Sequence, residues 1–87
     1  TTLTPREISK EIGRLEKEIE RLEDLIAAEE AKLAAIETEL SAPKPTTDTI
    51  ALTHDYPKVK AESERLLGEW TDSHEKLEAL RALQGAD

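Results

Sequence analysis

Five basic residues, Arg6, Lys10, Arg14, Lys17 and Arg21, recur at intervals of four, four, three and four. On a helix that spacing places them along one outer face, and a stripe of cations can track the phosphates of a nucleic acid. Glu7, Glu11, Glu18 and Glu20 border the stripe. Glu7–Lys10, Glu11–Arg14 and Glu18–Arg21 stand three residues apart, so the same face can also neutralise itself. A second basic group, Lys44, Lys58 and Lys60, flanks the proline-containing middle of the chain, where a hairpin tip would present it to a large partner. These eight residues are the candidate nucleic-acid-binding set.

Other chemistry is sparse. Cysteine is absent, which excludes disulfides, thiolate metal sites and thiol catalysis and fits a reducing, cytoplasmic setting. No phosphate-binding G-x-x-x-x-G-K-[ST] loop occurs, and Gly13, Gly68 and Gly85 form no cradle. His54 and His74 lack metal-ligand spacing, so no catalytic or metal site and no cofactor is expected within these 87 residues. His54 beside Asp55 reads as a turn-and-cap pair. His74 reads as an edge residue, with Glu29 as an alternative partner. Trp70 sits at an apolar seam position and reads as packing rather than as a stacking platform for a base.

The elements that position these residues follow from composition and period. Of the 87 residues 37% are charged, with one Trp, one Tyr and no Phe, which leaves Leu, Ile and Ala to supply the buried surface. That is the composition of long helices or a coiled coil. The net charge is −8, with 11 acidic and 6 basic side chains in residues 5–41 against 7 and 5 in residues 58–87. Such a balance repels nucleic acid and anionic membrane globally, so either must be met by a local basic patch. No run approaches the ~18 apolar residues of a membrane span, and the opening residues do not read as a signal segment.

Thr4-Pro5-Arg6-Glu7 predicts a helix start, with Thr at the N-cap, Pro at the first position and Glu at the third, and with Leu3 and Ile8 spaced for a hydrophobic staple. Ile8, Ile12, Leu15, Ile19, Leu22 and Ile26, then Leu33, Ile36 and Leu40, maintain a heptad seam, interrupted by Glu29. The predicted helix runs from about 5 to 41 and stops before Ala42-Pro43-Lys44-Pro45. An elbow follows over about 42–55, with one short turn beginning at Thr47. A second helix over about 56–84 carries Tyr56, Val59, Ser63, Leu66, Trp70, Ser73, Leu77 and Leu80, capped by Asp55 or Tyr56, with Pro57 in its first turn.

An exposed Ile/Leu seam requires a partner. The expected fold is therefore all-α: an antiparallel two-helix coiled-coil hairpin with a Pro-containing elbow. A parallel dimer is the competing arrangement, and Pro43, Pro45 and the renewed seam favour the monomeric hairpin. Counting outward from the elbow pairs Leu40 with Val59, Leu33 with Leu66, Ile26 with Ser73, Leu22 with Leu77 and Ile19 with Leu80, and leaves Ile8 and Ile12 overhanging as a docking base. Glu29 is then expected to find Ser73, His74, the Trp70 indole or water.

A capped acidic coil ending in Ser41-Ala42-Pro43, an elbow, then Tyr56-Pro57-Lys58-Val59, Gly68-Glu69-Trp70 and Leu77-Glu78-Ala79-Leu80 resembles the C-terminal domain of ABC-F ATPases, in particular the Uup-like subgroup. It departs from that pattern at the turn, where Ala42-Pro43-Lys44-Pro45 replaces Ala-Asp-Pro, and lacks the aromatic residue that usually precedes the Trp stretch. The resemblance implies a cytoplasmic accessory module that is not itself the enzyme. DNA, including branched DNA, or ribosomal RNA would be its partner, beside parent ATPase domains that bind ATP and Mg. Leu15-Glu16-Lys17-Glu18-Ile19 also resembles the C-terminal, tRNA-contacting coiled coil of valyl-tRNA synthetase, and a purely protein-docking arm is the alternative of a different class.

Overall fold

The computed structural model describes residues 3–85. Two α-helices, α1 (Pro5–Ser41) and α2 (Thr49–Gly85), fold back on each other through the elbow 42–48. The hairpin measures 64 × 17 × 15 Å with a Cα radius of gyration of 19.1 Å, against ~12 Å for a globule of this length.

α1 starts where its cap dictates. The Glu7 N–H donates to Thr4 Oγ1 (3.2 Å), and the Thr4 hydroxyl donates to Glu7 Oε1 (2.9 Å). Leu3, placed for the staple, stays 41% exposed. The elbow is a turn pinned by one side chain. The Thr47 N–H donates to the Lys44 carbonyl (2.9 Å), the Lys44 N–H donates to Thr47 Oγ1 (2.9 Å), and the Thr47 hydroxyl donates to Glu39 Oε2 on α1 (2.9 Å).

α2 begins at Thr49, seven residues before the expected position near 56. Its N-cap is Asp48, not Asp55 or Tyr56: Oδ1 accepts the Ala51 N–H (3.0 Å) and the carbonyl accepts the Leu52 N–H (3.1 Å). No separate helical turn starts at Thr47. Pro57 consequently lies inside α2 rather than in its first turn, leaving the Thr53 carbonyl without its intrahelical donor. Both residues are exposed, so water can take that carbonyl.

The shorter elbow moves the pairing by one heptad. Leu22, with no exposed surface, clusters with Ile26, Leu66 and Trp70. Ile8, Ile12, Leu15 and Ile19 cluster with Leu77, and Leu80 and Trp70 pack on them. Leu22 thus meets Trp70 rather than Leu77, and Ile26 meets Leu66 rather than Ser73. Hydrogen bonds crossing the hairpin follow the same register: Gln84 Nε2 to Ser9 Oγ (3.1 Å), Trp70 Nε1 to Glu23 Oε2 (3.3 Å) and Tyr56 Oη to Glu37 Oε1 (2.9 Å). The overhang disappears with the slip. Ile8 and Ile12 are buried against α2 and do not form the expected docking base, while Leu3 and Leu83 stay exposed at that end.

Continuing that register sets Glu29 against the buried Ser63. Glu29, expected to reach Ser73, His74 or Trp70, instead accepts from Lys32 Nζ on its own helix (2.9 Å). Beyond this polar layer the seam loosens. Only Ile36 is buried there, and a cleft of about 490 Å³ opens between Ile36, Leu52 and Val59. Gly13 and Gly68 face open space, and nothing in the structure explains either.

Two substitutions test this architecture by thermal or urea denaturation. Leu22→Ala empties the tightest layer and is expected to cost about 2–5 kcal/mol. Pro57→Ala restores an interior backbone hydrogen bond and is expected to raise stability by about 1–3 kcal/mol, the helical gain being offset in part by a freer unfolded chain. A neutral or destabilising Pro57→Ala would mean that α2 does not run unbroken through Thr53.

Candidate nucleic-acid interface

The heptad phase that buries Ile8, Ile12, Leu15 and Ile19 carries Arg6, Lys10, Arg14, Lys17 and Arg21 to the opposite side of α1, and all five are exposed. From Arg6 to Arg21 the stripe spans about 22 Å at 1.5 Å per residue. Its members are not equivalent. Arg14 donates through Nε (2.9 Å) and Nη2 to Glu11 Oε1, and Arg21 donates through Nη2 to Glu18 Oε1 (2.6 Å) and through Nε to Oε2 (3.1 Å). Among the described residues Arg6, Lys10 and Lys17 have no ion-pair partner. Glu7, placed for Lys10, is engaged by the Thr4 cap instead.

The lysines of the second group do not converge. Lys44 sits in the elbow, whereas Lys58 and Lys60 lie nine and eleven residues into α2 from Thr49, about 14–17 Å along the helix. Two residues on a helix differ by about 200° in direction, so Lys58 and Lys60 also diverge from each other. Lys58 borders the loose cleft with Lys32 and Asp55. The early start of α2 is the physical reason for their distance from the tip: the helix begins at Thr49, so Lys58 and Lys60 lie well along it rather than in its first turns.

The charge chemistry of the surface is that of short intrahelical pairs. Hydrogen bonding from Arg14, Arg21 and Arg65 holds the Glu11, Glu18 and Glu62 carboxyls, respectively, below the usual carboxylate range, and raises the guanidiniums in return. Arg65 reaches two carboxylates, Glu62 (2.5 Å) and Glu69 (2.8 Å). The Tyr56 phenol is pushed up by its hydrogen bond to Glu37, because the phenolate would oppose that carboxylate. The Trp70 and His74 rings meet at 4.6 Å with a 45° tilt, a pairing across one helical turn that the i,i+4 spacing of an aromatic and an imidazole could have revealed. His54 Nδ1 lies 3.6 Å from Asp55 Oδ1, both exposed.

Among the described residues no group of His, Cys, Asp and Glu is arranged to hold a metal ion, and no helix is long and apolar enough to cross a membrane. Searches against protein-family models, curated proteins and solved structures find no match to this chain.

The depressed carboxylates define a pH window. A carboxyl held low in the folded state contributes stability that is present above its unfolded pKa and is lost as pH falls through its folded pKa. In Arg65→Gln, an NMR titration is expected to show the Glu62 carboxyl moving up toward the ordinary range. The melting-temperature difference between wild type and variant, present at neutral pH, is expected to close as pH falls through the wild-type Glu62 value. An unmoved Glu62 midpoint would break the pair's assignment.

Proposed function

We propose that this chain is a non-catalytic accessory arm of an ABC-F ATPase of the Uup-like type, contributing to nucleic-acid binding by the parent protein in the cytoplasm. ATP and Mg chemistry belongs to the parent's nucleotide-binding domains in this reading. The hairpin fold supports it, as does the resemblance carried by Tyr56-Pro57-Lys58-Val59, Gly68-Glu69-Trp70 and Leu77-Glu78-Ala79-Leu80. The observation that carries the nucleic-acid part is the exposed stripe on α1, in which Arg6, Lys10 and Lys17 retain free charge. A duplex presents one phosphate per ~1.7 Å of axis, so a 22 Å stripe faces several at once. With net charge −8 opposing approach, contact is local and weak, suited to positioning a nucleic acid that other domains hold.

The test is a salt titration of the 87-residue chain against labelled duplex and branched DNA. Three free cations engaging phosphates give a slope of log K against log salt of about −2.7. Lys10→Ala/Lys17→Ala is expected to reduce the slope by about 2, since each lysine contact removed takes away about one unit. Arg14→Ala/Arg21→Ala is expected to change it less, because each of those guanidiniums already has a carboxylate. Absence of binding at low salt would remove the nucleic-acid role and favour a protein-docking arm.

A further inference from the structure

Charge is distributed unevenly around the seam. On one side Glu11, Glu18, Glu62 and Glu69 take up the guanidiniums of Arg14, Arg21 and Arg65. On the other, Glu16, Glu20, Glu23, Glu30 and Glu37 follow one another down α1, every one exposed, and Glu64 and Glu78 join them from α2. Arg81 pairs with Glu16 (3.1 Å) and Glu78 (3.5 Å). Among the described residues no cation pairs with Glu20, Glu23, Glu30, Glu37 or Glu64.

An apolar hollow lies in the middle of this acidic side. Ile26, Ala27, Leu67 and Trp70 line a cleft of about 220 Å³ between the helices, with Glu23 and Glu30 at its rim. Leu67 flanks the core residue Leu66 and remains 42% exposed. Glu23 receives the Trp70 indole N–H at 3.3 Å, which leaves it further acceptor capacity. Glu23 and Glu30 are seven residues apart, about 10 Å along α1.

We infer that this cleft is a docking site for a basic amphipathic helix of another protein, which seats one apolar side chain on Leu67 and Trp70 and sets Lys or Arg, one turn to either side, on Glu23 and Glu30. A groove between two helices is the natural seat of a third, read through anchors at helical spacing. The charge complement selects the occupant. Nucleic acid is repelled by the five unpaired carboxylates. A second copy of this chain offers the Arg6–Arg21 stripe, but that face carries Glu7 and Gly13 between its cations and no apolar anchor. The patch is small, so the complex is a transient one. The inference does not depend on the nucleic-acid reading, which uses the outer face of α1.

Trp70 is the only tryptophan of the chain, so its emission reports occupancy directly. The probe is a synthetic Ala-rich helical peptide of about 20 residues with one Leu flanked by Lys at the preceding and following turns, titrated into the full 87-residue chain. The expected result is a saturable shift of Trp70 emission, weakened at least about tenfold in Glu23→Gln/Glu30→Gln and lost in Leu67→Lys. Both variants are first checked by circular dichroism, and Leu67, being exposed, can change without emptying the core. The same peptide with Ala for Leu is expected to bind about tenfold more weakly, and with Glu for Lys not at all. The inference is overturned if no saturable shift occurs, or if the Glu peptide binds as well as the Lys peptide. It is also overturned if duplex DNA, titrated without peptide, gives the same saturable shift of Trp70 emission and Leu67→Lys does not remove it, or if sedimentation shows self-association that Leu67→Lys abolishes, which would give the cleft to a second copy.

Discussion

The structure depends on one strip of contact. A two-helix hairpin has no second layer, so the burial that offsets the entropy of ordering two 37-residue helices comes from a single heptad seam. That burial is concentrated at the open end, where Ile8 to Ile26 meet Leu66, Trp70, Leu77 and Leu80. Beyond the Glu29–Ser63 layer the apolar content thins to one buried side chain, Ile36. There polar bonds hold α2 and the elbow to α1: Tyr56 to Glu37 and Thr47 to Glu39. Exposed hydrogen bonds over a loose cleft open at lower free energy than a packed apolar cluster. By that argument the elbow half opens before the half that joins the start of α1 to the end of α2.

Register illustrates how far a periodic sequence can be read. The first helix was legible to its boundaries, because Thr4-Pro5-Arg6-Glu7 and the proline pair leave few alternatives. The seam residues were legible as well. What a heptad pattern cannot supply is its own phase along the partner, since a slip of seven residues keeps Ile and Leu facing Ile and Leu. The elbow decided it, and its length was hidden by Thr49-Ile50-Ala51-Leu52-Thr53-His54-Asp55, a β-branched and polar run ahead of Pro57 that does not resemble helix. Asp48, three residues before Ala51, was the cap signal available. A second signal lay in the polar seam positions. The observed register sets Glu29 against small, polar Ser63 and leaves Trp70 on Leu22. The slipped one would press Glu29 onto Trp70 and Ile36 onto Ser63, burying a carboxylate against an aromatic face.

The candidate interface was legible in part for the same reason. The Arg6–Arg21 stripe depends only on spacing within α1, and its placement on the exposed face follows from the seam without knowledge of α2. The division of labour within it does not: Glu11 and Glu18 close on Arg14 and Arg21, while the Thr4 cap claims Glu7 and leaves Lys10 free. The grouping of Lys44, Lys58 and Lys60 depended on the elbow and failed with it. The Trp70–Leu67 cleft depends on the register itself, since it brings Ile26 and Glu30 of one helix beside residues of the other.

A net charge of −8 on so thin a molecule would be a uniform repulsive cost if it were spread evenly. It is not spread evenly. One side of the seam pairs its charges at i,i+3 and i,i+4, the arrangement by which an exposed helix stabilises itself. The other side has one such pair, Arg81–Glu78, and leaves Glu20, Glu23, Glu30, Glu37 and Glu64 without any among the described residues, although an arginine or lysine at Ala27 or Ala34 would stand within one turn of Glu23, Glu30 or Glu37. Small neutral residues there keep the carboxylates free and the groove shallow. Fold stability alone does not require that choice, because exposed pairs contribute only a few tenths of a kcal/mol. It matters to whatever approaches the groove, for which an unpaired carboxylate beside Leu67 and Trp70 is both an attraction for cations and a barrier to anions. The two long sides of the hairpin therefore present different electrostatic surfaces to the same surroundings, and a single seam holds them back to back.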